Sequence, residues 1–234
     1  MSINVYWTID HSKALGSLRI ERPELVLKSK ENMSSQKYNG CPAFTDYFHN
    51  VYGWKSLYTY NFEDTGHGYA STMHNQDFMD RYISMRSADD KLFSIKQHCL
   101  FMTDETSLKL SQEHPYFEDN KFTSKCYVIP GTLDIGKYSR WLDFAFHVKD
   151  REHGFEFDEG DMIYYLRFHT KERINLKQFY VNPKLRDYLD MVDGIREFSS
   201  ATAPRPLSYF YGIFKQSNLK QRILKEIKKN LIDS

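Results

Sequence analysis

The sequence predicts a mainly β protein, an antiparallel β-sandwich or jelly roll with short helices and a C-terminal amphipathic helix. Two runs of alternating residues carry that expectation. Leu142, Phe144, Phe146 and Val148 recur with period two, and so do Met162, Tyr164, Leu166 and Phe168. Successive side chains of a strand point to opposite faces, so each run offers one apolar face to a core. Between the runs, Glu159-Gly160-Asp161 supplies turn chemistry, glycine for a positive φ and aspartate for a local hydrogen bond. Aromatic residues make up 16% of the chain, a composition that suits strands and broad contact surfaces.

The elements follow in order. Ile3 to Ile9 alternates as a short strand. Leu18 to Lys28 holds a weaker strand interrupted at Pro23, and the polar, Ser-rich stretch 28–39 reads as an exposed loop. Pro42 opens a short helix where its missing N–H costs nothing, with Phe44, Tyr47, Phe48 and Val51 on one side. Trp54 to Phe62 returns to strand composition, Gly66 to Gly68 marks a turn, and Asn75 to Met85 reads equally as helix or irregular insertion. Strands are expected over 91–102, 107–110, 126–129, 140–149, 162–169 and 174–181, with Phe144, Phe146, Leu166 and Phe168 in the core. Pro183 then starts a helix carrying Leu185, Leu189 and Val192, ending near Gly194 or Phe198.

Ser199 to Pro206 reads as a linker between a sandwich domain, 1–198, and a helical segment, 207–234. In that segment Leu219, Ile223, Ile227 and Leu231 recur every four residues, and Lys220, Arg222, Lys225, Lys228 and Lys229 occupy other positions. Such a stripe can pack on its own subunit, dock on another chain, or meet a membrane or nucleic acid. The site expectation adopted is docking: Leu219, Ile223, Ile227 and Leu231 as the partner-binding face of a separable helix.

Charge narrows the classes of partner. Lys plus Arg (32) nearly cancels Asp plus Glu (31), so no general electrostatic reason exists to bind nucleic acid or an anionic membrane. No apolar run approaches the ~20 residues a membrane-spanning helix needs. Neither kind of partner is expected. Residues 1–7 lack the basic-then-apolar pattern of a secretory leader, so secretion is not expected. Cys41, Cys99 and Cys126 form no Cys-x-x-Cys pair and read as buried free thiols in a reducing compartment.

Motifs for chemistry are weak. Gly131 to Lys137 matches the first seven positions of a phosphate-binding loop, but the eighth is Tyr138 rather than Ser or Thr. The residues that follow alternate like a strand, whereas a phosphate loop runs into a helix. A jelly-roll metalloenzyme needs His-x-His or His-x-Asp/Glu on one strand, so that two ligands share a face, and neither spacing occurs. No Gly-x-Ser-x-Gly elbow is present. The expectation is therefore no catalytic residue, no metal site and no cofactor.

Cys41-Pro42-Ala43-Phe44, Lys55-Ser56-Leu57-Tyr58, Pro130 to Ile135 and Phe157 to Tyr165 occur in an order shared with one group. Over most of residues 1–200 the chain resembles uncharacterised proteins of large tailed phages, especially those of marine cyanobacteria. The resemblance implies a viral origin and a soluble protein in the host cytoplasm or in the virion, and it carries over no catalytic residue. The expected function is a non-catalytic phage protein acting through protein–protein contacts, as a virion component or a host-directed binder. Its partner would be a second copy or another virion protein. The rival is a metalloenzyme of the cupin or non-haem iron 2-oxoglutarate oxygenase type, using some of His67, His74, His98, His147, His153 and His169.

Overall fold

Alternating apolar residues become strands throughout the chain, and strand outweighs helix, 40% against 29%. The computed structural model describes residues 2–10, 21–31, 41–65, 69–87, 92–149, 154–202 and 205–232. In chain order the strands are β1 (Ser2–Ile9), β2 (Glu24–Leu25), β3 (Val51–Lys55), β4 (Tyr60–Asp64), β5 (Tyr69–Ala70), β6 (Ile83–Ser87) and β7 (Leu92–Thr103). They continue with β8 (Lys109–Glu113), β9 (Cys126–Val128), β10 (Gly131–Asp134), β11 (Trp141–Val148), β12 (Phe155–Phe157), β13 (Met162–Phe168) and β14 (Arg173–Gln178). The helices are α1 (Val26–Glu31), α2 (Pro42–Tyr47), α3 (Gln76–Tyr82), α4 (Lys121–Lys125), α5 (Pro183–Thr202), α6 (Leu207–Gln216) and α7 (Leu219–Lys229).

Among the described residues the strands form three sheets. The first runs β14-β1-β7-β11-β9, with β6 also paired to β7; the second runs β10-β8-β13-β3-β2; the third, β12-β4-β5, is small. Pairing is antiparallel except between β1 and β14, which run parallel from Ser2↔Arg173 to Trp7↔Gln178. That pair departs from the all-antiparallel sandwich expected. Opposite the step from Leu142 to Asp143 on β11, β7 jumps from Cys99 to Lys96. Gln97 and His98 are the extra residues, and His98 has a φ of 49°. A bulge of this kind bends the strand, so the Leu100 half of β7 pairs with β1 and the Ile95 half with β6.

Rings join the sheets. Trp7 of β1 meets Trp54 of β3 edge-on at 6.1 Å, Phe101 of β7 lies 5.9 Å from Trp54, and Phe144 of β11 lies 5.2 Å from Tyr164 of β13. The third sheet adds Phe155, 5.2 Å from Phe93 and 5.4 Å from Phe146. Each such buried ring contributes roughly 1.5–3 kcal/mol through apolar area, and edge-on pairs add about 0.5–1.5 kcal/mol. Phe144, Phe146, Leu166 and Phe168 are core, as expected, at no more than 1% exposure. Gly160 turns the chain with a φ of 88°.

Other elements differ from the sequence reading. Val26–Glu31 is helical rather than strand or loop. Trp54 to Phe62 divides into β3 and β4, which belong to different sheets. The ambiguous stretch after Asn75 is a helix, because the Asn75 side chain accepts from the Phe78 N–H at its first turn, and β6 follows directly. The turn at 66–68, the Ser-rich stretch 32–39, His67 and His153 lie outside the described residues.

The C-terminal third requires two corrections. Residues 199–202, read as linker, continue α5 to Thr202, because Ser, Ala and Thr are tolerated in a helix. The stripe read as a docking face is inside the protein: Ile223 and Ile227 are fully buried, Leu219 is 4% exposed, and Leu231 is half-buried against the same core. That core also takes Leu185, Leu189 and Val192 of α5 with Phe210 and Phe214 of α6. Polar contacts hold the helix down. The Lys220 ammonium donates to the carbonyls of Glu105 and Gly136, and Lys228 pairs with Asp104 at 2.7 Å. Beyond α7, Ile232 N–H donates to the Gln178 carbonyl, and Leu231 bridges to Phe179.

Candidate functional site

Strand alternation sets the outer face of the second sheet. With Leu110 and Leu166 turned into the core, Ser111 and Glu113 of β8 and Tyr165 and Arg167 of β13 point the other way, and cross-strand register sets Thr132 of β10 beside Ser111. One end of this face is covered. Helices α1 and α2 lay Val26 and Phe48 over Val51 and Tyr165, a small second core separate from the main one. Phe117, from the loop after β8, closes it by meeting Phe44 at 5.3 Å and Phe48 at 5.1 Å. Pro42 in the first turn of α2 fixes where these rings arrive.

The remainder of the face is open and highly organised. Arg167 donates from Nε and Nη2 to the two carboxylate oxygens of Glu113, at 2.6 and 2.9 Å. Its guanidinium lies over the Tyr47 ring, 3.9 Å from the centroid, and Nη1 donates to the Tyr47 carbonyl. The Tyr47 hydroxyl donates back to Glu113 at 3.3 Å. A bidentate, stacked arginine of this kind is locked in one orientation. From Tyr47 a row of rings crosses to the edge of the first sheet. Tyr116 comes next, and burial, followed by the neighbouring Tyr47 and Glu113, raises its pKa. His114 lies 5.8 Å from Tyr116 and 5.5 Å from Tyr127, and the Lys149 ammonium sits 4.1 Å from the Tyr127 centroid.

His114 is the neutral hinge of the row. Its Nδ1 accepts from the Val128 N–H at 3.4 Å, which requires an unprotonated Nδ1. Burial, with Lys149 adding to it, lowers its pKa and keeps it so. The rings around it remain in solvent: Tyr116 is 57% exposed, Tyr127 52%, Tyr47 46% and Phe117 42%.

Beside Arg167 the face falls into a shallow groove of about 670 Å³ between Asp46 and His49 on one wall and Phe168 to Lys171 on the other. His169 Nε2 is 2.6 Å from Ser111 Oγ, which is also 2.8 Å from Thr132 Oγ1. A serine–histidine contact invites a nucleophilic reading, and the surroundings argue against it. Ser111 is only 6% exposed, its hydroxyl is shared with Thr132, and among the described residues no carboxylate bonds His169 to orient it as a base. Burial and then Arg167 lower the His169 pKa. The arrangement suits an anchored recognition side chain better than an activated nucleophile.

The residues proposed from sequence lie elsewhere. Leu219, Ile223, Ile227 and Leu231 serve the core. Of the six histidines in the metalloenzyme reading, His74 stacks on Phe78 at 3.9 Å with Nε2 at the Thr59 carbonyl, His98 occupies the β7 bulge, His147 lies on β11 and His169 meets Ser111. Among the described residues no three His, Cys, Asp or Glu side chains come together to hold a metal ion. The phosphate-loop lookalike is strand β10 and a turn. Asp134 accepts there from Ser107 Oγ, Leu108 N–H and Gly136 N–H, and the eighth-position Tyr138 is buried against Phe214. Cys99 and Cys126 are buried free thiols, and burial pushes Cys99 up to about 12; Cys41, by contrast, is exposed at the start of α2. No described helix is long and apolar enough to cross a membrane.

The open row was missed in sequence. Its one signal is Glu113-His114-Pro115-Tyr116-Phe117, where aromatics follow a proline just past a strand, out of phase with any core pattern. Compared with known proteins, the chain matches no family profile, no curated protein and no solved structure.

Proposed function

We propose that this chain is a non-catalytic binding protein that works through protein–protein contacts. Its contact surface is the aromatic row from Tyr47 through Tyr116 and Phe117 to Tyr127, carried on two larger sheets that we read as a sandwich. The observation that carries the reading is the exposure of four large rings on one stretch of surface, Tyr116 and Tyr127 on either side of His114, Phe117 next to Tyr116 in the chain, and Tyr47 under a locked arginine. Scattered exposed aromatics are ordinary, whereas a contiguous set marks an interaction site, and Tyr and Arg are the residue types that dominate interface hot spots. On the resemblance to tailed-phage proteins, we read the partner as a second copy or another protein of the virion or of the infected host cell. No observation favours the metalloenzyme alternative, since the described histidines do not converge.

The test compares the full chain with Tyr116→Ala/Tyr127→Ala. Both rings are exposed, so the melting temperature should stay the same within error. Quantitative capture from infected cells, with light scattering for self-association, should show the recovered partner, or the dimer, reduced about tenfold or more, the weight of two hot-spot rings. An unchanged partner set in the variant sinks the proposal. Mass spectrometry of purified particles decides between virion and host.

A further inference from the structure

The groove beside the aromatic row carries a more specific inference, which rests on reading this face as a partner surface. Its chemistry is lopsided. Arg167 is matched by Glu113, but Lys109 and Lys171 have no ion-pair partner among the described residues, and both are exposed. Lys109 enters through its strand neighbours: its carbonyl accepts from the His169 N–H, which sets the lysine beside the imidazole. On the opposite wall His49 Nε2 donates to the Lys171 carbonyl at 3.1 Å, which fixes the backbone that carries this lysine. Asp46 is the single carboxylate lining the groove. Desolvation is the first cause of the lowered His169 pKa, and Arg167 and Lys109 depress it further while Glu113 opposes them. The groove therefore has one unmatched ammonium in its lining, Lys171, and a second, Lys109, at its edge beside His169.

We infer that this groove takes an extended acidic segment of a protein partner. Carboxylates of the segment would meet Lys109 and Lys171, and an aromatic or proline residue beside them would lie on Tyr47 and Tyr116. Charge complementarity selects this occupant. A second copy of this chain fits less well, because its densest acidic run, Glu156 to Asp161, is closed into a turn with Glu156 and Asp158 paired to Lys121 rather than extended. Single-stranded nucleic acid also uses rings and cations, but it needs a continuous basic track, and here Asp46 and Glu113 interrupt it.

Fluorescence anisotropy on the full-length protein tests the inference with three labelled probes: a short peptide alternating Glu and Tyr, its Lys–Tyr counterpart, and an oligothymidylate of similar length. The Glu–Tyr peptide should bind saturably and weaken as salt rises. Lys109→Glu/Lys171→Glu should reduce that binding about tenfold or more, with the melting temperature unchanged because both side chains are exposed. Equal binding of the Lys–Tyr peptide, tighter binding of oligothymidylate, or insensitivity to the double reversal overturns the inference, as does the absence of saturable Glu–Tyr binding. The two readings fail separately. A partner lost by Tyr116→Ala/Tyr127→Ala yet retained by Lys109→Glu/Lys171→Glu leaves the partner surface standing and removes the acidic segment.

Discussion

Replacing Ile223 by Ala should destabilise the whole protein, not release a helix. Ile223 is fully buried in the core that spans the first sheet, α5 and α6. Truncating a fully buried Ile to Ala costs about 2–5 kcal/mol, the sum of lost transfer energy and an incompletely collapsed cavity. Alanine recovers roughly 0.4 kcal/mol through its better helix propensity. The net loss is about 3 kcal/mol, and the fixed polar clamps at Lys220 and Lys228 favour the upper half of the range by limiting collapse of the helix into the void. For a chain of this size that corresponds to a fall of about 6–12 °C in melting temperature. Far-ultraviolet circular dichroism should follow helix and strand signals through one transition, with the urea midpoint lowered and the slope unchanged. A shift below about 2 °C, or loss of helix signal ahead of strand signal, would refute the reasoning and restore the separable helix.

Two further outcomes are expected. Arg186→Ala removes two hydrogen bonds, at 2.6 and 2.7 Å, from the fully buried carboxylate of Asp10, and should cost about 3 kcal/mol in urea unfolding, somewhat eased by the partial exposure of Arg186. Burial alone would raise the Asp134 pKa, but Ser107, Lys137 and the Leu108 N–H outweigh it and hold the carboxyl below its ordinary value. A depressed folded-state pKa gives stability that is present above the unfolded pKa of about 3.9 and is lost as pH falls through the folded one. The difference in urea midpoint between pH 7 and pH 3 should therefore be smaller in Asp134→Asn than in the parent.

What the sequence revealed depended on period. The runs around Phe144 and Leu166 were legible because alternation is a local property, and their burial followed. The helix at Leu185, Leu189 and Val192 was legible for the same reason at a different period. The partner strand of each run was not, since β11 and β13 lie in different sheets and β1 pairs with β14 across most of the chain. The stripe from Leu219 to Leu231 was recognised as apolar, but an apolar stripe reads identically whether its cover is its own core or another chain. Residues 199–202 misled because small polar residues are as compatible with a helix end as with a linker. The open face was least visible of all: Tyr47, Tyr116, Arg167 and His169 come from separate segments, and no local pattern couples them.

The parallel pairing of β1 with β14 has a kinetic consequence. β1 is made before either of its partners: one edge waits for β7, where Val5 pairs with Thr103, and the other for β14, where Ser2 pairs with Arg173. Closing loops of that length imposes its entropy before any contact rewards it. Until residue 178 has been made, an apolar strand carrying Val5, Trp7 and Ile9 keeps an unpaired edge, the kind of surface on which nascent chains aggregate. Folding of the first sheet should thus be slow and late. A growing chain would depend on a chaperone, or on fast synthesis, to protect β1 in the interval.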